Sequence, residues 1–103
     1  MAWADRKIAA LPVDLTIVIP AHNESQRIES GFQRLAPVLA TLGEDRVEVV
    51  VVDDGSIDDT GHQAALIYGA LPHSLVIRQE ENLGKGAAVR LGFSVATGTK
   101  VVV

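Results

Sequence analysis

The run Val49-Val50-Val51-Val52, which ends in Asp53-Asp54-Gly55-Ser56, constrains this chain more than any other feature. Four consecutive β-branched residues suit a strand buried on both faces, and such strands belong to parallel sheets covered by helices on each side. Two carboxylates directly after it fall beyond the carboxyl end of the strand, where open α/β sheets bind ligands. The arrangement recurs upstream: Leu15-Thr16-Ile17-Val18-Ile19 runs into Pro20-Ala21-His22-Asn23-Glu24. Two neighbouring strand ends carrying polar clusters predict one shared pocket.

The remaining elements alternate around these strands. Residues 1–13 are expected to be an N-terminal extension, and the first strand covers about 15–19. Ile28, Phe32, Leu35, Leu39 and Leu42 follow at spacings of four and three, one face of a helix. Asn23 or Ser25 is placed to cap that helix, Pro37 to kink or divide it, and Gly43 to stop it. A second strand over about 47–52 leads to a helix over about 59–69, capped by Asp58 or Asp59 and closed near Gly69. Leu75-Val76-Ile77 reads as a short third strand. A loop from Gln79 to Gly84 enters a third helix, about 85–96, with Val89 and Phe93 expected on its inner face. Gly98 ends it, and a fourth strand begins near Lys100. The order βαβαβαβ predicts an α/β fold, Rossmann-like, with a mainly parallel sheet and right-handed crossovers. Val101-Val102-Val103 breaks off inside a strand pattern, so the chain is expected to be the N-terminal part of a longer domain.

Bulk properties remove several classes of function. At 103 residues there is room for one domain. Thirteen acidic against nine basic residues leave a net charge of −4 and no basic stripe, which argues against nucleic-acid binding. There is no cysteine, hence no disulfide framework and no thiolate metal site. No apolar run reaches the ~18–20 residues of a membrane span. Asp5, Arg6 and Lys7 interrupt anything resembling a signal peptide. The expected location is cytoplasmic, up to and including the cytoplasmic face of a membrane.

Common nucleotide fingerprints are missing. There is no P-loop, no His-Glu-x-x-His and no Gly-x-Ser-x-Gly; Gly84-Lys85-Gly86 begins a dinucleotide pattern, but Val89 stands where its third Gly or Ala belongs. Three other clusters are present in order: Ile19 to Glu24, Val52 to Thr60, and Asn82 to Gly92. Taken one at a time, each has an ordinary reading beside a functional one. Asp53 and Asp54 either cap the next helix or meet a ligand. Glu24 is either a first-turn acid or a ligand for hydroxyl groups. His22 is either an exposed loop residue or a stacking and hydrogen-bonding group. Lys85, between two glycines at a helix start, is either solvated or part of an anion site. Asp58, Asp59 and Thr60 read as capping residues, Arg90 as a surface charge, and His62 and His73 carry no assigned role.

The three clusters together resemble family 2 glycosyltransferases of the GT-A fold. Within that family they look most like the polyprenyl-phosphate sugar transferases, such as the dolichyl-phosphate glucosyl- and mannosyltransferases. The resemblance covers about residues 15–103. It implies a donor-nucleotide half-site made of Pro20, Ala21, His22, Glu24, Asp53, Asp54 and Lys85. Asp54 would accept the ring N–H of uracil, and Asp53 would brace the loop through backbone N–H groups. Pro20 would shape the exit from the first strand. His22 stands where the family commonly has an aromatic residue packed on the base. Glu24 would hold the ribose hydroxyls, and the Lys85 loop would lie near the diphosphate. The resemblance further implies Mg²⁺ or Mn²⁺ held by an acid-x-acid motif expected beyond Val103, with no catalytic or metal-ligating residue among these 103. The implied reaction transfers a hexose, with inversion, from a nucleotide diphosphate sugar to a lipid phosphate. UDP-glucose is the first expectation for the donor and GDP-mannose the second; a small acceptor such as phosphoglycerate is an alternative. A non-catalytic GT-A-like module binding a nucleotide or partner is the rival of a different class. A response-regulator-like domain fits poorly, because the first strand ends in Pro20-Ala21-His22-Asn23 instead of an acidic pair.

Overall fold

The structure, a computed structural model, describes residues 13–103. Strand β1 (Leu15–Ala21), helix α1 (Ile28–Leu42), β2 (Val47–Asp54), α2 (Thr60–Tyr68), β3 (Ser74–Gln79), α3 (Lys85–Val95) and β4 (Lys100–Val102) follow in the expected alternation, with one 3₁₀ turn at Glu44–Arg46. The four strands are parallel in the order β3-β2-β1-β4. The expected 1–13 extension lies outside the described residues except for Val13, which is buried.

β2 is central and every one of its residues is buried, as its unbroken valine run requires. Its alternation divides the core in two. Val47, Val49 and Val51 face α1 and α2, meeting Leu39, Ala64 and Tyr68; Phe32 packs edge-on against Tyr68 with ring centroids 5.1 Å apart. Val50 and Val52 face the other way, joining Val18, Leu75, Ile77 and Ala88 beneath α3.

Several local expectations change. Pro37 lies inside α1, which runs unbroken from Ile28 to Leu42. Pro37 is exposed, so the Gln33 carbonyl that it leaves without an N–H can turn to water. Leu42, assigned to the buried stripe, is 48% exposed in the last turn. Neither Asn23 nor Ser25 caps α1. The helix begins later, after Arg27, with no side-chain cap, because both residues are tied to the loop after β2. Gly43 ends α1, its N–H donating to the Leu39 carbonyl at 2.8 Å, and Gly69 closes α2 in the same way on Ala65. On α3 the inner face is Ala88, Leu91, Gly92 and Val95; Phe93 is 45% exposed and Val89 only half-buried. The two buried positions, Ala88 and Gly92, are small because the helix lies almost on the sheet: a Cβ at Gly92 would stand 2.3 Å from Val18 Cγ1.

Candidate functional site

The strand ends are level. Ala21 pairs with Asp53, Asp53 with Arg78 and Asp54 with Gln79, so three polar loops leave the sheet along one edge. β1 is flanked by β2 on one side and β4 on the other, the switch in direction at which such sheets open a crevice. A cavity of about 500 Å³ occupies that place. Pro20 is accommodated near the end of β1, since β4 pairs only with Leu15–Ile17.

The two-residue period sends the paired carboxylates to opposite faces of the sheet. Asp53 follows Val49 and Val51 toward α2, where it is fully buried. Its Oδ1 accepts the Ser56 N–H at 3.1 Å and its Oδ2 accepts Arg78 Nη1 at 2.8 Å, while Arg78 Nη2 donates to the Ser56 carbonyl. Asp53 thus braces its loop, as expected, but it does not line the main cavity. It borders a smaller hollow with Asp58, Asp59, His62 and Arg78. Asp54 follows Val50 and Val52 toward the start of α3 and lines the main cavity. Its Oδ1 accepts Gln79 Nε2 and the Leu83 N–H, each at 2.8 Å, and its Oδ2 accepts the Gly84 N–H at 2.9 Å. The carboxylate therefore holds the entry to α3 in place.

His22 is oriented by three contacts. Its Nδ1 lies 2.8 Å from the Asp54 carbonyl oxygen, which can only accept, so Nδ1 carries the proton. Its Nε2 meets the side-chain nitrogens of Asn23 (3.2 Å) and Asn82 (3.1 Å). Those amides are fixed because Asn23 Oδ1 accepts the Ile57 N–H and Asn82 Oδ1 accepts the Gly84 N–H. The ring edge is occupied, and the flat faces are what His22 can offer to a ligand.

Gly55 joins the second loop to the third. Its φ of +63° suits glycine, and a Cβ there would meet the Asn82 nitrogen at 2.4 Å. Glu24 joins the first loop to the second through its N–H, which donates to Thr60 Oγ1 at 2.7 Å. The Glu24 carboxylate lines the cavity and reaches Arg27 Nε at 3.2 Å. Thr60 is fully buried and donates its hydroxyl to Asp58; Asp58 also accepts the Thr60 and Ser25 N–H groups. That hydroxyl hydrogen bond is the main reason the Asp58 carboxyl is held below its usual value. Lys85 is the first residue of α3, exposed, and on the cavity wall.

Of the seven residues expected at the site, Pro20, Ala21, His22, Glu24, Asp54 and Lys85 share the cavity and Asp53 does not. Four others that organise it were not foreseen in these roles. Ser56 Oγ accepts the Asn23 N–H at 2.9 Å, and Thr60 bridges the first two loops. Arg78 and Gln79 escaped notice although they end β3; applying the strand-end argument to the third strand would have found them. Among the described residues no group of three or more His, Cys, Asp or Glu side chains could hold a metal ion. By themselves the described residues do not supply a site for the divalent cation that the resemblance implies.

Residues 16–103 match the family described as Glycosyl transferase family 2. The chain is 36% identical over 89 residues to the dolichol-phosphate mannosyltransferase of Pyrococcus furiosus, covering 86% of this chain and 24% of that protein. It is 32% identical over 91 residues to the undecaprenyl-phosphate 4-deoxy-4-formamido-L-arabinose transferase of Klebsiella pneumoniae, covering 85% and 27%. Among solved structures it is similar to the mannosyltransferase PcManGT from Pyrobaculum calidifontis, in complex with GDP-Man and Mn²⁺, with a TM-score of 0.76, 25% identity and coverage of 94% and 29%. It is also similar to glucosyl-3-phosphoglycerate synthase of M. tuberculosis, with a TM-score of 0.65, 30% identity and coverage of 86% and 33%. The chain thus spans a quarter to a third of the length of these relatives. These neighbours share the GT-A fold that the three clusters implied. With the family matched over nearly the whole described length, the chain belongs to glycosyl transferase family 2.

Proposed function

We propose that the protein transfers a hexose from a nucleotide diphosphate sugar to a polyprenyl phosphate, with inversion, and that residues 14–103 form its donor-nucleotide half. One observation carries this reading: in a family 2 chain, Asp54, His22, Glu24 and Lys85 line a single cavity at the switch point of the sheet. Asp54 accepts a ring N–H of the base, and His22 offers a ring face to it. Glu24 accepts the vicinal ribose hydroxyls. Lys85 and the free N–H groups at the start of α3 meet the diphosphate. Asp53 acts from behind, holding the loop that carries Asp54. An acceptor phosphate oxygen attacks the anomeric carbon, the bond to the nucleotide diphosphate breaks, and the nucleotide leaves with the electron pair. A phosphate acceptor is already an anion and needs no base.

The lipid acceptor is supported by the names of the Pyrococcus and Klebsiella relatives; with such an acceptor the work would fall at the cytoplasmic face of a membrane. Mg²⁺ or Mn²⁺ would offset charge on the leaving diphosphate; PcManGT was solved with Mn²⁺. UDP-glucose is the first choice of donor. GDP-mannose is the second, favoured by the GDP-Man bound to PcManGT. A small acceptor is favoured only by the likeness to glucosyl-3-phosphoglycerate synthase.

The test is UDP affinity of the intact protein before and after Asp54→Asn, measured by titration calorimetry with folding checked by circular dichroism. A hydrogen bond to a charged acceptor contributes about 1.5–3 kcal/mol, so affinity should fall at least tenfold. Equal affinity in a folded variant would remove Asp54 from base recognition.

A further inference from the structure

We infer that Gln79 turns this pocket into a reader of a single N–H donor, so that it takes uracil in preference to guanine. The inference rests on the donor-site reading above and deepens it. An ionised carboxylate offers about four acceptor positions, two on each oxygen. On Asp54, Oδ1 already accepts Gln79 Nε2 and the Leu83 N–H, and Oδ2 accepts the Gly84 N–H. Oδ1 is therefore full, and one position remains on Oδ2. Asp54 and Gln79 are 4% and 9% exposed, so water does not readily displace these partners.

Gln79 reaches Asp54 because the two are partners in the register of β2 and β3. Gln79 lies two residues beyond Ile77, on the same face of the sheet, toward α3. Its amide orientation follows from chemistry, since the carboxylate accepts and only the NH₂ end can donate to it.

Guanine presents two adjacent donors, N1–H and the exocyclic amine, and grips a carboxylate through both oxygens. Here the second donor would face the donors that already fill Oδ1 and would be buried without an acceptor. Uracil presents one donor, N3–H, flanked by two carbonyl acceptors. One donor meets the one open position, and no second N–H is left without an acceptor. A polar group stranded in such a site costs discrimination of about tenfold or more.

The experiment measures the affinity of the intact protein for UDP, GDP and inosine diphosphate, whose base keeps N1–H and lacks the amine. UDP is expected to bind at least about tenfold more tightly than GDP, and inosine diphosphate at least as tightly as GDP. GDP binding clearly more tightly than inosine diphosphate would overturn the inference, since the amine would then have found an acceptor. Gln79→Met keeps the length of the side chain and opens a position on Oδ1; the ratio of GDP to inosine diphosphate affinity should then rise about tenfold. A folded variant with an unchanged ratio would overturn the role of Gln79. Should that variant not fold, the wild-type ratios alone decide. If none of the three nucleotides binds and Asp54→Asn changes nothing, the donor-site reading fails and takes this inference with it. If all bind, with GDP ahead of inosine diphosphate, the donor site stands and only the single-donor inference is lost.

Discussion

Asp53 is fully buried, and Arg78 is the cation beside it at 2.8 Å. The arginine side chain is 38% exposed, so part of its own hydration survives. Removing one partner of such a pair costs more than the pair contributes, because the remaining charge stays buried. Arg78→Met should lower stability by about 2 kcal/mol, in the range for hydrogen bonds to charged groups; urea unfolding would measure it, and an unchanged midpoint would mean that Asp53 is satisfied without Arg78. The same scale shows where reading the sequence reached its limit. That Asp53 braces its loop is implied by the family resemblance. That it needs an arginine from β3 is not, because the partner lies 25 positions away. Glu48 is a second case. It lies in the valine strand, is buried, and accepts the Thr16 hydroxyl at 2.9 Å and the Thr97 N–H at 3.0 Å; nothing in the local pattern announces a carboxylate shared by segments so far apart.

Among the elements, α3 has the most direct link to the site, since its first residues form one wall of the cavity. Its distance from the sheet is set by Gly92 against Val18 and by the buried Ala88. Glycine inside a helix ordinarily disfavours it by about 1 kcal/mol relative to alanine, so Gly92→Ala would stabilise an isolated helix. Here the opposite sign is expected. Val18 is β-branched, stiff and buried, and overpacking of that kind costs about 1–3 kcal/mol. Denaturant unfolding of the variant would show the loss, and a gain in stability would mean that α3 can lift from the sheet without penalty. The periodicity of α3 misled because Phe93 is the bulkiest apolar residue on the helix, and bulk argues for burial. Close packing reversed the choice: the buried face is the one that brings the helix nearest the sheet, and a phenylalanine there would have held it away.

Across the whole molecule, two exposed carboxylates tie its opposite ends. Asp14, just before β1, accepts two hydrogen bonds from Arg46, just before β2, and this holds its carboxyl below the usual value. Asp58 does the equivalent between the loops at the other end, chiefly through the Thr60 hydroxyl. A depressed folded value means that the stabilisation is complete above the ordinary 3.8 and is lost as pH falls through the lowered values. Wild-type stability should therefore decline more steeply below that point than the stability of the Asp14→Asn, Asp58→Asn double variant. Urea midpoints across the acid range would check this, and parallel curves would mean that neither carboxylate is coupled to folding. The sequence by itself determined the alternation of strands and helices, the central place of the valine strand, the edge at which the site lies, and most of the residues that line it. The first three follow from local signals: a period, a run of β-branched residues, and polar clusters at strand ends; the lining residues came with the family resemblance those clusters carry. Only the tertiary structure decided that β2 continues through Asp53 and Asp54 by pairing with β3, so that the two part company, that Arg78 and Gln79 serve them, and which face of α3 is buried. Those outcomes depend on register and on the distance between a helix and a sheet, and both are set by the packing of residues remote in the chain.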